Sequence, residues 1–157
     1  MAGRERSRAV SGARSKRAVA PTVADLMRRQ FITVPAEERL VEAQRTMRLA
    51  RLRHLLVVEN GTLVGLLSYR DVQDALLSRA VRESAEAWHD AVRAVAVREA
   101  MVVGPYYVRP ETPASEAARR MLSLHLGCLP VCEPDADTAL RLVGLLAESD
   151  LLRAAWT

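Results

Sequence analysis

The sequence predicts a mixed α/β (α+β) fold of two similar βαββα units packed with pseudo-two-fold symmetry. Three observations predict it. The stretch Leu63-Val64-Gly65-Leu66-Leu67-Ser68-Tyr69-Arg70-Asp71 returns near the C-terminus as Leu142-Val143-Gly144-Leu145-Leu146-Ala147-Glu148-Ser149-Asp150. Seven further pairs recur 74 positions apart: Val23/Val97, Met27/Met101, Glu42/Glu116, Ala43/Ala117, Met47/Met121, Leu55/Leu129 and Val57/Val131. In each copy, helical and extended apolar patterns follow one another in the same order. Ordered self-similarity on this scale marks a tandem repeat.

The elements follow in chain order. Thr22 with Asp25 reads as a helix N-cap with an acid at its third position, opening a short turn through Leu26 and Met27. Phe31 to Val34 is β-prone and Pro35 stops it. Residues 36–50 carry Leu40, Ala43, Met47 and Ala50 at helical spacing. His54 to Val58 reads as a buried strand, the Asn60-Gly61 turn as a hairpin, and Leu63 to Leu67 as its return strand. A helix starts near Tyr69. From Asp71 to about Val95 there is neither proline nor glycine, which predicts a long or broken helix with Arg82, Glu83 and Glu86 outward. Within it, Trp88 reads as packing on the neighbouring half or as a partner anchor, and His89 as a surface residue. The order restarts at Val95, and the second hairpin loop, 133–141, is longer, so the separation grows from 74 to 79. The organisation expected is a basic tail (1–20), a first repeat (21–80), a helical linker (81–94) and a second repeat (95–157).

Composition narrows the function classes. Half the residues are hydrophobic but only 4% aromatic, so the core must be aliphatic. No apolar run approaches the ~20 residues that span a bilayer, and the N-terminus has no apolar signal core. A cytoplasmic location is expected. Residues 1–20 hold six basic residues and one acid, a net of +5, so the other 137 residues carry −1 of the total +4. That leaves no basic face for nucleic acid outside the tail. The tail itself reads as a solvated segment, a weak anion contact or an organelle transit peptide. Cys128 and Cys132 would lie about 13 Å apart on a strand, too far to bridge. With no further cysteine there is no zinc set, and two buried thiols are expected.

The chemistry concentrates where the return strand meets its helix. Ser68 and Asp71 have two readings. One is a capping box, with Ser68 at the N-cap and Asp71 at the third position. The other is a ligand clamp, because a carboxylate accepts two hydroxyl donors at once through charge-assisted bonds. Ala147 cannot cap with its side chain, yet Asp150 persists. An acid in a first turn gains only ~0.3–1 kcal/mol from the helix dipole, which does not call for aspartate in particular. His54, His89 and His125 stand at no catalytic spacing, and P-loop, GxGxxG and HExxH motifs are absent. No enzyme activity and no metal site are expected.

Each half resembles a cystathionine-β-synthase (CBS) domain, and the whole resembles a stand-alone CBS pair. The matching features are Val23 to Met27, Thr33-Val34-Pro35, Arg53 to Val58 and Gly65 to Asp71, then Val97 to Met101, Val108-Arg109-Pro110, Leu129-Pro130-Val131 and Gly144 to Asp150. The helical insertion is similar to that of small bacterial acetoin-utilisation CBS pairs. The resemblance implies a regulatory module without a catalytic cofactor. Its ligand would be AMP, ADP, ATP or S-adenosylmethionine, held between the repeats. Shape changes would pass to an unknown effector protein, and a homodimer is expected; a ligand-free docking module is the other reading. By position, Asp71 would take the ribose hydroxyls and Ser68 ribose or phosphate. Thr33, Val34 and Pro35 would flank the base, and Arg53 and His54 would contact phosphate. Val108, Pro110 and Asp150 are the counterparts in the second repeat. Ala147, Leu56 and Gly127-Cys128 depart from the pattern, so a charged nucleotide is expected at the first repeat.

Overall fold

The computed structural model describes residues 20–82, 84, 86–134 and 139–156. The basic tail expected over 1–20 lies outside them except for Ala20, as do Glu83 and the middle of the second hairpin loop. The elements run α1 (Val23–Leu26), β1 (Thr33–Val34), α2 (Leu40–Ala50), β2 (His54–Glu59), β3 (Thr62–Ser68), α3 (Tyr69–Arg82) and α4 (Trp88–Ala94). Then come a 3-10 turn (Val97–Glu99), β4 (Val102–Val103), α5 (Ala114–Leu124), β5 (Cys128–Pro134), β6 (Leu140–Ala147) and α6 (Glu148–Ala155).

Local chemistry accounts for most boundaries. The Thr22 N–H and hydroxyl both donate to Asp25 Oδ2, at 2.8 and 2.9 Å, closing the expected cap on α1. Those two bonds hold the Asp25 carboxyl below its ordinary value, the backbone one contributing most. Helix α2 starts at Leu40, later than the sequence pattern suggests, because Pro35 to Glu38 form a turn and Arg39 bridges to Ala96 first. It buries Leu40, Ala43 and Met47 and ends at Arg51, whose φ of 54° is left-handed. Helix α5 ends the same way at His125, with φ 53°, so even the irregular turns repeat. Asn60 and Gly61, at φ 49° and 79°, make the tight turn between β2 and β3. The interval read as one long or broken helix is two, α3 and α4. Trp88 meets His89 edge-on at 4.6 Å, and α4 packs on α2 and α3 of its own half.

The strands form one sheet in the order β1-β2-β3-β6-β5, with β4 added on β3. Each half contributes an antiparallel hairpin, β2/β3 and β5/β6, with a register shift after Val57 and after its counterpart Val131. A parallel partner flanks each hairpin: β1 beside β2, and the single bridge Val108–Val131 beside β5.

The cores do not follow the linear order of the repeats. Val95 and Val97, which open the second repeat, are buried in the first half's core with Leu40, Leu55 and Leu67. Val23 and Met27, which open the first repeat, are buried in the second half's core with Met121, Leu129 and Leu146. The halves thus exchange their leading segments. Each large apolar side chain so buried contributes roughly 1.5–3 kcal/mol. A third cluster of Leu56, Leu63 and Cys132 seals the contact between the hairpins.

Glycine allows the crossing. A Cβ on Gly65 would lie 2.5 Å from Met101 Sδ and 3.2 Å from the Val102 carbonyl oxygen. A Cβ on Gly144 would lie 2.6 Å from Met27 Sδ and 3.2 Å from the Arg28 carbonyl oxygen. Replacing Gly65 or Gly144 by valine should therefore cost about 1–3 kcal/mol through overpacking. Urea unfolding measures this, and an unchanged midpoint for both variants would show that the crossings are not tightly packed.

Candidate functional site

The junction of β3 with α3 is built by a closed set of hydrogen bonds. The Asp71 N–H donates to Ser68 Oγ at 3.1 Å. In return, the Ser68 N–H and hydroxyl donate to Asp71 Oδ2 at 2.9 and 2.5 Å. The Tyr69 N–H donates to the Arg53 carbonyl at 2.9 Å, tying the helix start to the start of β2. The capping reading of this pair is what the hydrogen bonds show. Oδ2 is spent on the cap, and among the described residues nothing bonds to Oδ1. The Ser68 hydroxyl proton is committed to Asp71, so Ser68 orients the carboxylate.

Asp71 lies on a cleft of about 640 Å³ that spans both repeats. Its first-half lining includes Arg53, His54, Leu66, Ser68 and Arg70; from the second half come Val102 and His125 to Cys128. Across the cleft floor, a Cβ on Gly127 would lie 3.1 Å from the His54 ring. Gly127 stands where the first half has Arg53, so its missing side chain leaves room for the imidazole. Among the sequence-nominated residues, the structure gathers Arg53, His54, Ser68 and Asp71 here. Thr33, Val34 and Pro35 are not in this lining. Val34 and Val108 are buried in opposite cores, and Pro110 accepts the Ala24 N–H.

The second junction is built alike but filled differently. The Glu148 N–H donates to the Gly127 carbonyl at 3.0 Å, and the Ala147 N–H to Asp150 Oδ2 at 3.0 Å. Half of the capping box survives without a hydroxyl. The other oxygen, Oδ1, accepts Arg28 Nε and Nη2 at 2.9 and 2.8 Å, and Arg28 Nη2 also reaches Ser149 Oγ at 3.1 Å. Asp150 is 8% exposed, so the arginine supplies the charge that its burial demands. Arg28, Leu66 and Val102 are not among the residues nominated from the sequence, and Gly127 is noted there only as a departure from the pattern. One signal was available. Met27 and Met101 match at separation 74, and the next pair, Arg28 and Val102, does not.

Electrostatics divide the site's remaining groups. Burial pushes His54 below its ordinary value of 6.5; the Asp71 carboxylate opposes the shift and Arg53 reinforces it. Burial alone pushes the thiols up, Cys128 to about 12 and Cys132 to about 11, so both are neutral and inert, and neither is in a disulfide. No cluster of metal-ligating side chains occurs among the described residues, nor any helix long and apolar enough to cross a membrane.

Comparison with known proteins places this geometry among relatives. The sequence profile of the CBS domain matches residues 23–78 and again 97–157. A CBS domain-containing protein of Dictyostelium discoideum is 30% identical over 131 residues, covering 83% of this chain and 88% of its own. The crystal structure of CBSX2 from Arabidopsis thaliana in complex with AMP is 27% identical, with TM-score 0.70 over 87% of this chain and 96% of that one. A putative acetoin utilization protein, AcuB, from Vibrio cholerae is also 27% identical, with TM-score 0.70 over 88% and 92%.

The lowered His54 value sets a pH dependence. Below 6.5 the unfolded chain binds this proton more readily than the folded one. Stability is therefore full above 6.5 and falls as pH drops through 6.5 toward the folded value. Urea unfolding from about pH 7.5 to about pH 5.5 should show the wild type losing more stability than His54→Gln. Equal losses would remove His54 as the cause.

Proposed function

The chain belongs to the CBS domain family, and on that premise we propose that it is a regulatory module binding one adenine nucleotide at the cleft over Asp71. The observation that carries this reading is Asp71 Oδ1, an acceptor left unbonded among the described residues while Oδ2 is fixed by Ser68. An oriented carboxylate oxygen at the edge of a cleft suits a ribose hydroxyl, and the charge-assisted bond is of the stronger kind. Leu66 and Val102 offer apolar walls for a base. Arg53, Arg70 and His54 offer charge and donors to a phosphate. The first-turn N–H groups of Tyr69 and Asp71 are already engaged, so these side chains carry that contact. This favours AMP, ADP or ATP over S-adenosylmethionine, whose sulfonium would meet two arginines. CBSX2, similar over most of the chain, is seen with AMP.

Regulation requires that occupancy reach a partner. Leu49 and Leu77 on the first half's helices, and Leu122 and Leu152 on the second's, expose apolar surface suited to a second copy or an effector protein. Titration calorimetry with AMP should give binding that Asp71→Asn weakens roughly tenfold to a hundredfold, the loss expected of a hydrogen bond to a charged group. Light scattering on the same sample should return twice the chain mass. No heat with AMP, ADP or ATP from folded protein contradicts the ligand reading; a monomer mass contradicts only the self-association.

A further inference from the structure

Arg28 and Val102 occupy equivalent places in the two exchanged segments, 74 positions apart. Val102 pairs with Leu66 on β3 and lines the cleft over Asp71. Arg28 pairs with Leu145, the counterpart of Leu66 on β6, and reaches Asp150 instead. We infer that Arg28 is a tethered occupant of the second repeat's adenosine position, and that this one residue limits the chain to a single ligand.

Three observations carry it. Both Asp150 oxygens are committed, Oδ1 to two N–H groups of Arg28 and Oδ2 to the Ala147 N–H, whereas Asp71 keeps Oδ1 unbonded among the described residues. The Arg28 backbone is clamped on both sides, its N–H to the Leu145 carbonyl at 2.9 Å and its carbonyl from the Leu145 N–H at 3.0 Å. Met27 packs over Gly144 immediately before it, which fixes where the side chain begins. An occupant so placed acts at high effective concentration, and a diffusing ribose must displace a charge-assisted contact that is already made. Arg153 stands farther off, 3.8 Å from Oδ1.

The single-site aspect rests on the nucleotide reading of Asp71, and the test separates the two. AMP binding is measured by calorimetry on the full chain for the wild type, Arg28→Val, Arg28→Val/Arg153→Ala and Arg28→Val/Asp71→Asn, each checked for folding by circular dichroism. The expected result is one AMP per wild-type chain and two after Arg28→Val. Arg28→Val/Asp71→Asn should then retain one unweakened site, which is the second. Arg28→Val/Arg153→Ala covers the case in which Arg153 swings into the vacated contact. Binding that appears only once Arg28 is replaced supports this inference while removing the Asp71 assignment. Two AMP per wild-type chain overturns it. So does a stoichiometry that neither Arg28→Val nor Arg28→Val/Arg153→Ala raises, including no binding by any variant, an outcome that removes the nucleotide reading as well.

Discussion

Two methionine–glycine crossings hold the molecule together. Met27 lies on Gly144 and Met101 on Gly65, each carrying the segment that leads one repeat across a strand of the other. Because Val23 and Val97, four residues before these methionines, are buried in the opposite cores, neither half's core is complete without the other's leading turn. The join is therefore a shared interior, and the third cluster around Leu56, Leu63 and Cys132 continues it between the hairpins. A side chain at either glycine would press on backbone as well as on sulfur, which is why these two positions are glycine.

The exchange also decides which residues meet each aspartate. Every crossing segment runs antiparallel to a return strand just ahead of the strand-to-helix junction, so the residue after each methionine arrives beside the carboxylate. Valine at that place leaves a cleft, and arginine fills it. The two junctions share their backbone: Tyr69 bonds to Arg53 and Glu148 to Gly127 in the same way. Their difference lies in the side chains. Ser68 corresponds to Ala147, Tyr69 to Glu148, Arg70 to Ser149, Arg53 to Gly127 and His54 to Cys128, and Val102 corresponds to Arg28. A duplicated scaffold has thus been given one polar, open site and one neutralised by its own chain.

The repeat, its strand and helix order and the Ser68–Asp71 pair were legible in the sequence because each rests on local rules: apolar period, turn residues and capping. The helix start at Leu40, rather than near residue 36, was obscured because Ala36 to Arg39 suit a helix or a turn equally. The exchange was not legible, although its residues were. Met27 and Met101 aligned, but alignment says nothing about which core receives them. The fate of Asp150 turned on Arg28, distant by 122 positions, and no local pattern couples such a pair. Capping and ligand binding need not be rivals for Asp71, because a carboxylate has two oxygens and the cap occupies only Oδ2.

The most direct measurement is a crystal structure of the chain grown with AMP. Nucleotide density is expected over Asp71, with a ribose hydroxyl on Oδ1, the base against the paired side chains of Leu66 and Val102, and the Arg28–Asp150 contact intact. Nucleotide seated on Asp150 with Arg28 displaced, while the Asp71 cleft stays empty, would contradict it.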